Sequence, residues 1–510
     1  MFNCQSHHLL IANFFALVLA LPVQSFADEF EVRVVDAQSK KPVSVRMMIR
    51  NGRGVVIKQR GIPFYEGYFC FFGKHVFKLP KGPYSYVIEK GPEYRTLSGR
   101  FEITKDATDG VTVEIPRFTN MSEKGWWSGD LNIKRPIRDI PVVMDANDLN
   151  FANQISFDNR GEYLDGEIPK VALKKVNERI VFQQVGGIDS RGGGALVFIG
   201  QSNPFLLPGE KSIIPLNISL SKKQSGLNYI SNAAAWDLPI LLARHFEAKK
   251  KNDPANRIDA IGIAGDAINY RGFEKRAVGL RPADKSLDGA NTAGRWQTQI
   301  YYHLLNCGFR IPPGAGSGSG IVKNPVGYNR VYVHCGPNFS YESWLKNFKL
   351  GRVMVTNGPV MNVKFNGVLP GETFQVLKGG SLEVETVLTL SLKEKANYLE
   401  IIRNGMVAKK VSLDEYAKAK GKLPTVTFTE SGWMLVRVVT NNKDTHRFVS
   451  SGPIYVEVGD KPLLKKASAQ FFFDWILERA KAIQKSNAPD KAAIIEQIRP
   501  AYEFWKMLSE

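Results

Sequence analysis

Residues 125–136 read GWWSGDLNIKRP. After a Gly-Asp turn comes the short run 131–134, and side chains two apart on a strand share a face, so Asn132 and Lys134 are expected to project together. Histidine at both places would form a two-nitrogen clamp for zinc, iron or manganese. Asn132 supplies only a weak carbonyl oxygen. Lys134 carries a positive charge and no free lone pair, so it opposes a cation. The stretch therefore reads as a strand end whose two like-facing side chains, an amide and an ammonium, make a poor site for a cation.

The chain around it is long, 510 residues, which implies three or four folded units. Residues 1–27 differ from the rest: an apolar run over 9–23 and then Ser25-Phe26-Ala27 before Asp28-Glu29 read as a cleaved secretory leader. The lack of Lys or Arg ahead of that run leaves an uncleaved anchor as the alternative. No later segment resembles a membrane-spanning helix, so no integral membrane segment is expected after cleavage. A secreted or periplasmic location follows. Cys70, Cys307 and Cys335 remain after the leader and have no CxxC spacing, so at most one bridge can form within a monomer. Sixty-eight Lys and Arg against 49 Asp and Glu give a net charge of +19. Such a field favours anionic neighbours such as acidic polysaccharide, anionic membrane or nucleic acid, and charge alone does not choose among them. An anionic small molecule or glycan is the expected partner. The basic residues are scattered, and no pattern points to specific nucleic-acid binding.

Four segments follow the leader. Residues 28–118 alternate in the manner of a β-sandwich, with Val43, Val45, Met47 and Ile49 among the inward positions and an aromatic cluster at Phe64, Tyr65, Tyr68, Phe69, Phe71 and Phe72 read as core. Residues 119–358 change to short buried strands alternating with helices, as in a β/α barrel. Trp296, Ile300, His303, Leu304 and Cys307 mark one face of a helix ended by Gly308, and His303 there reads as a core histidine. Residues 359–460 alternate again, with Leu382, Val384, Thr386, Leu388 and Leu390 and a hairpin signal at Asn404-Gly405, predicting a second sandwich. Residues 461–510 predict a helical hairpin packed on the barrel, its second helix opened by Pro489 and kinked or broken by Pro500.

With GWWSGDLNIKRP stand Asn147-Asp148-Leu149-Asn150, SRGGGALVF at 190–198, AWDLP at 235–239, IDAIGIAGDA at 258–267, LLNCGFRIPPGAGSGSG at 304–320, NPVGYNRVYV at 324–333 and VTNGPV at 355–360. In this order the strings resemble the CehA/McbA-type metallohydrolases, a branch of the PHP (polymerase and histidinol phosphatase) superfamily, in its large secreted bacterial form. The resemblance implies a distorted seven-stranded β/α barrel, flanked here by the two β-sandwiches. It also implies a site for one to three divalent metals that activate water against an ester, carbamate or phosphate. The family's ligand positions fall on Asn132, Lys134 and Asn150, on Asp266 with Ala267, and on Gly318, so the usual nitrogen donors are replaced. No metal or cofactor is expected. Asp130, Asp148, Asp237 and Asp266 leave a divalent ion such as magnesium, calcium or zinc as the alternative.

The candidate site is therefore Asp130, Asn132, Lys134, Asp148, Asn150, Asp237 and Asp266, with no catalytic residue assigned. One reading has Lys134, with Asn132 and Asn150, binding a phosphate, sulfate or carboxylate. The other has Lys134 closing the old site through an ion pair with Asp130, Asp148, Asp237 or Asp266. The glycine-rich run 314–320 reads as a tight loop rather than an anion nest, since it lacks the Lys-Ser/Thr ending of a P-loop. The expected function is a binding scaffold that has lost hydrolysis. Its rivals are a remodelled hydrolase of esters, carbamates or phosphoesters and a structural envelope protein.

Overall fold

The computed structural model describes residues 28–104, 110–158, 167–190, 193–205, 214–224, 226–254, 256–270, 272–273, 279–487 and 491–510. The leader read at 1–27 and Pro489 lie outside them. The chain is rich in β-structure, organised in several sheets, with a helical pair at its C-terminus. Among the described residues no helix is long and apolar enough to cross a membrane, and the three cysteines are free thiols.

The first segment pairs a three-stranded sheet, centred on Asp28–Asp36, with a five-stranded antiparallel sheet centred on Ser44–Asn51. Their inner faces share one core that includes Val32, Val34, Val45, Met47, Phe69, Phe77 and Ile88. The period-2 pattern places these side chains together. Of the aromatic cluster, Tyr68, Phe69 and Phe71 are buried, and Phe72 is exposed.

The strand Trp126–Ile133 is buried at all eight positions because it serves three neighbours. One edge pairs in parallel with Phe151–Asp158, and the other pairs antiparallel with Arg330–His334. Around the first edge the order continues through Ile180–Asp189, Leu196–Ile199, Leu227–Ile230, Ala260–Ala264 and Pro313–Ala315. All of these run parallel to Trp126–Ile133 except Leu196–Ile199, which is antiparallel to both of its neighbours. The seventh strand then returns to the first. Ser319 bridges Ile133 in parallel, the Lys134 N–H donates to the Ser319 carbonyl at 2.7 Å, and the Gly318 N–H donates to the Asn132 carbonyl at 2.8 Å.

The second edge carries the sheet out of this closed unit without a break. From Arg330–His334 it passes to Val353–Thr356, Phe448–Ser451, Gly432–Thr440, Ala396–Arg403 and Met406–Ser412. A three-stranded sheet, Val360–Phe365, Leu382–Ser391 and Lys422–Phe428, covers one face over a core of Val363, Val384, Leu388, Leu399, Ile401 and Val436. The sandwich read for residues 359–460 thus borrows two strands from the preceding segment. A boundary at 358 cuts through one hydrogen-bonded sheet. Trp126 shows how close the join is: its ring lies in this second core, with Nε1 donating to Asn362 Oδ1 at 2.9 Å, whereas Trp127 packs in the closed unit.

The tail forms helices Lys466–Lys485 and Lys491–Ser509, which pack on each other and on Leu238–Lys250. Phe472, Trp475, Ile476 and Trp505 are fully buried there. Each such side chain contributes about 1.5–3 kcal/mol. The second helix runs through Pro500 instead of ending at it. Tertiary anchoring outweighs the lost backbone bond: Ala501, Phe504 and Trp505 immediately beyond it are buried, and Trp505 Nε1 donates to the Pro239 carbonyl at 2.9 Å. His303 faces the same interface, 3.0 Å from Ser468 Oγ and stacked on Phe471. Burial pushes its pKa down to about 4, as befits a neutral packing histidine.

One ion pair fastens the tail. Arg479 Nε donates to Asp237 Oδ1 at 2.8 Å, with both side chains about nine-tenths buried. Removing the carboxylate strands a buried guanidinium. Asp237→Ala should cost about 3 kcal/mol in urea unfolding. The double variant with Arg479→Ala should recover part of that loss; strictly additive losses would mean the two side chains are not coupled.

Candidate functional site

The C-terminal ends of the six parallel strands converge on one side of the closed unit. Asp130 is wholly buried there. Its Oδ1 accepts from the backbone amides of Asn132 at 3.1 Å and Ser317 at 2.9 Å, and its Oδ2 accepts from that of Gly327 at 2.7 Å. These bonds favour the carboxylate, but desolvation prevails and raises its pKa to about 6. Asn132, also wholly buried, has neither Oδ1 nor Nδ2 hydrogen-bonded among the described residues. Across the mouth, Asp266 Oδ1 accepts from Asn232 Nδ2 at 2.6 Å, and burial raises its pKa.

The loop after Pro313–Ala315 touches both sides. A Cβ on Gly316 would lie 2.8 Å from Asn132 Cβ, and one on Gly318, whose φ is +63°, would lie 2.5 Å from Asp266 Cβ. Only glycine allows this approach. The amides of the loop are spent internally: Gly316 donates to Ala264, Ser317 to Asp130, Gly318 to Asn132 and Ser319 to Ser317 Oγ. The run is a closure, as the tight-loop reading expects, and not an anion nest.

The seven candidate residues do not gather. Asn150 Oδ1 accepts from the Ser128 amide at 3.0 Å, and Phe151 pairs with Gly129, which puts Asp148 and Asn150 at the opposite end of the strands. Asn132 lies four residues beyond Ser128, about 13 Å further along at about 3.3 Å per residue. Asp148 is bound there by Arg117, which holds its pKa low against the cost of burial. Asp237 is engaged by Arg479. Lys134 is partly buried and makes no ion pair among the described residues, so the closing bridge to Asp130, Asp148, Asp237 or Asp266 is absent. The divalent metal that the resemblance implies does not fit this donor set. Asn132 offers an amide and no imidazole nitrogen, the Asp130 oxygens are committed to three amides, and Lys134 brings positive charge to the entrance.

A second concave site lies where the three β-rich regions meet, a cavity of about 270 Å³. It is walled by Arg46 and Glu89 of the first segment, Tyr270, Tyr328 and Arg330 of the closed unit, and Lys393, Glu394 and Arg447 beyond it. Arg46 pairs with Glu89, and Arg447 pairs with Glu394 at 2.9 Å. Arg330 donates to the carbonyls of Gly327, Asn147 and Asp148. Lys393 Nζ donates to the Gly91 carbonyl at 2.5 Å. Burial, opposed by Glu89 and reinforced by Arg46, Arg330 and Arg447, pulls the Lys393 pKa down to about 8. None of these residues belongs to the sequence-derived candidate site. The sequence signals nearest to it are the strings NPVGYNRVYV and VTNGPV, whose loops line the cavity.

No family model matches the chain, and no curated protein matches it. Among solved structures, 22% of the chain is similar to the Bacillus anthracis TIE protein, at 23% identity over 20% of that chain with a TM-score of 0.14. The fibronectin(III)-like modules of Clostridium thermocellum CbhA match 19% of it, at 15% identity over 96% of that chain with a TM-score of 0.14. An apo structure of Bacteroides uniformis beta-glucuronidase 3 matches 85% of it, at 10% identity over 63% of that chain with a TM-score of 0.17. The chain thus spans only a fifth of the first of these. At such scores these likenesses carry no argument about fold or function.

Two outcomes test the barrel mouth. Because the Asp130 pKa is raised, its protonated form stabilises the fold below about pH 4, and that contribution is lost as pH rises through about 6. Urea unfolding from pH 4 to 7 should therefore show a shallower fall for Asp130→Asn than for the wild type; identical slopes would contradict the assignment. Asn132→Leu removes an unpartnered amide at similar volume and should leave stability unchanged or raise it by about 1 kcal/mol. A loss above about 2 kcal/mol would mean that the amide has a water or ligand partner.

Proposed function

We propose that this chain is a secreted or periplasmic PHP-like protein of the CehA/McbA type whose barrel serves as a non-hydrolytic scaffold for binding anionic ligands. The observation that carries the reading is the state of Asp130 and Asn132. A carboxylate and an amide sit at the C-terminal end of the first strand, where an active relative would hold its metal. The carboxylate is taken up by backbone amides, and Asn132 offers no nitrogen ligand. Six parallel strands and one antiparallel strand, closed through Ser319, suit a distorted seven-stranded barrel of that superfamily. The secreted location rests on the apolar run and small-x-small site in residues 1–27. The anionic preference rests on the net charge of +19.

Elemental analysis of tag-free protein, together with hydrolysis assays on ester, carbamate and phosphoester substrates, tests this. Zinc, iron, manganese, magnesium and calcium should be substoichiometric, and turnover should not rise when the ions are added. One tightly held ion per chain, coordinated beside Asp130 at about 2.0–2.3 Å, would overturn the reading in favour of a remodelled hydrolase.

A further inference from the structure

The cavity between the three β-rich regions brings four cationic side chains, Arg46, Arg330, Lys393 and Arg447, against two carboxylates, Glu89 and Glu394. The two carboxylates are already taken by Arg46 and Arg447. Arg330 is buried and donates to carbonyl oxygens; Asp148, a carboxylate on which it acts electrostatically, is held by Arg117. Lys393 donates to a neutral partner, the Gly91 carbonyl, and feels Glu89 without forming an ion pair with it among the described residues. A cation withdrawn from water without a counter-ion costs several kcal/mol. A protein gains nothing from keeping such charges unless something else completes them. In addition, the Nε atoms of Arg46 and Arg447 are buried without a hydrogen-bond acceptor. Positive charge in excess of the carboxylates beside it therefore lines one cavity.

We infer that this interdomain cavity is a binding site for a small ligand bearing a phosphate, sulfate or carboxylate group, with Lys393 and Arg447 as its principal contacts. This deepens the scaffold reading and rests on it, but it locates the anion site at the junction of the regions and not at Lys134. A cavity of about 270 Å³ lies just below the range of pockets that bury drug-sized molecules, which suits a ligand of monosaccharide size. The walls match such a ligand. Tyr270 and Tyr328 meet edge to face at 5.4 Å, and Arg447 lies over both rings, so an oxyanion on the guanidinium would leave the rest of the ligand against aromatic and hydroxyl surface. Arg447, with one terminal nitrogen on Glu394, keeps its other for the oxyanion, and Lys393 offers a point charge.

Calorimetric titration of the full-length mature protein with inorganic phosphate, sulfate, glucuronate, glucose 1-phosphate and neutral glucose tests the inference, and the arms separate the phosphate, sulfate and carboxylate sources. At least one oxyanion should bind with a Kd below about 1 mM at low salt, and glucose should not. That affinity should fall at least about tenfold in Lys393→Met and in Arg447→Gln. Without ligand, Lys393→Met should melt no lower than the wild type, because it removes a partly buried charge whose desolvation outweighs the pull of Glu89. A lower melting temperature, equal affinities in both variants, or no binding of any oxyanion would overturn the proposal. The absence of metal and turnover in the preceding assays would stand unaffected, so failure of the cavity and failure of the scaffold reading are separable.

Discussion

The Asp130 carboxylate is the interaction on which the remaining architecture depends. A charged group at full burial is costly, and here it is met by three backbone amides from three places in the chain: its own strand, the loop after the seventh strand, and the turn at Gly327. The last two places lie nearly two hundred residues from the first, so the carboxylate fixes the register at which the unit closes. The Gly327 peptide extends the effect. Its N–H is held by Asp130, and its carbonyl accepts from Arg330 Nε at 2.6 Å, while the same guanidinium reaches back to the carbonyls of Asn147 and Asp148. One chain of hydrogen bonds thus runs from the barrel mouth to the wall of the interdomain cavity.

That cavity inherits its rigidity from backbone pairing. The strand Trp126–Ile133 is hydrogen-bonded into the barrel on one side and into the sheet of the second sandwich on the other. No flexible linker separates the two. The first sandwich is attached by side chains: Arg135 bonds Glu66 at 2.5 Å and Ser319 Oγ at 3.0 Å, and Tyr332 Oη donates to Glu93 at 2.9 Å. Glu93 lies beside Asp148, and desolvation with that like charge raises its pKa to about 7. The attachment of the first segment is therefore more sensitive to conditions than the junction between barrel and second sandwich, since charge pairs respond to salt and pH and a buried ladder does not.

The elements legible in the sequence are those with a strong local period. Leu382 to Leu390 alternate and form one strand, Trp296, Ile300 and Leu304 recur at helical spacing and share a buried face, and Phe472, Trp475 and Ile476 mark the docking stripe of the tail. The candidate site was less legible because a string of residues does not say at which end of a strand it lies. Asn150 precedes its strand and Asn132 ends one, so two positions alike in residue type stand at opposite ends of the barrel. Nor does local pattern reveal partners. Asp237 looks like a ligand beside AWDLP, yet its charge is spent on Arg479, which stands on an ordinary amphipathic helix. Of the kink or break expected at Pro500, the break does not occur, for a related reason: a propensity of about 3 kcal/mol against the helix interior is outweighed when the aromatic side chains beyond it are docked.

Charge of opposite sign is held at the two ends of this hydrogen-bond chain. At the mouth of the closed unit, the buried carboxyl groups Asp130 and Asp266 are met by neutral donors, backbone amides and the Asn232 side chain, which lower the cost of ionisation without cancelling a negative charge. In the cavity, Arg330 and Lys393 are met by neutral acceptors, the carbonyls of Gly327, Asn147, Asp148 and Gly91, and the positive field remains. Neutral partners orient a charge without cancelling it, whereas an ion pair cancels it. The chain therefore retains oriented cations without ion-pair partners among the described residues where three β-rich regions converge on a cavity. The fixed geometry of those carbonyls lets an incoming anion find its contacts already in place, with little further ordering to oppose binding.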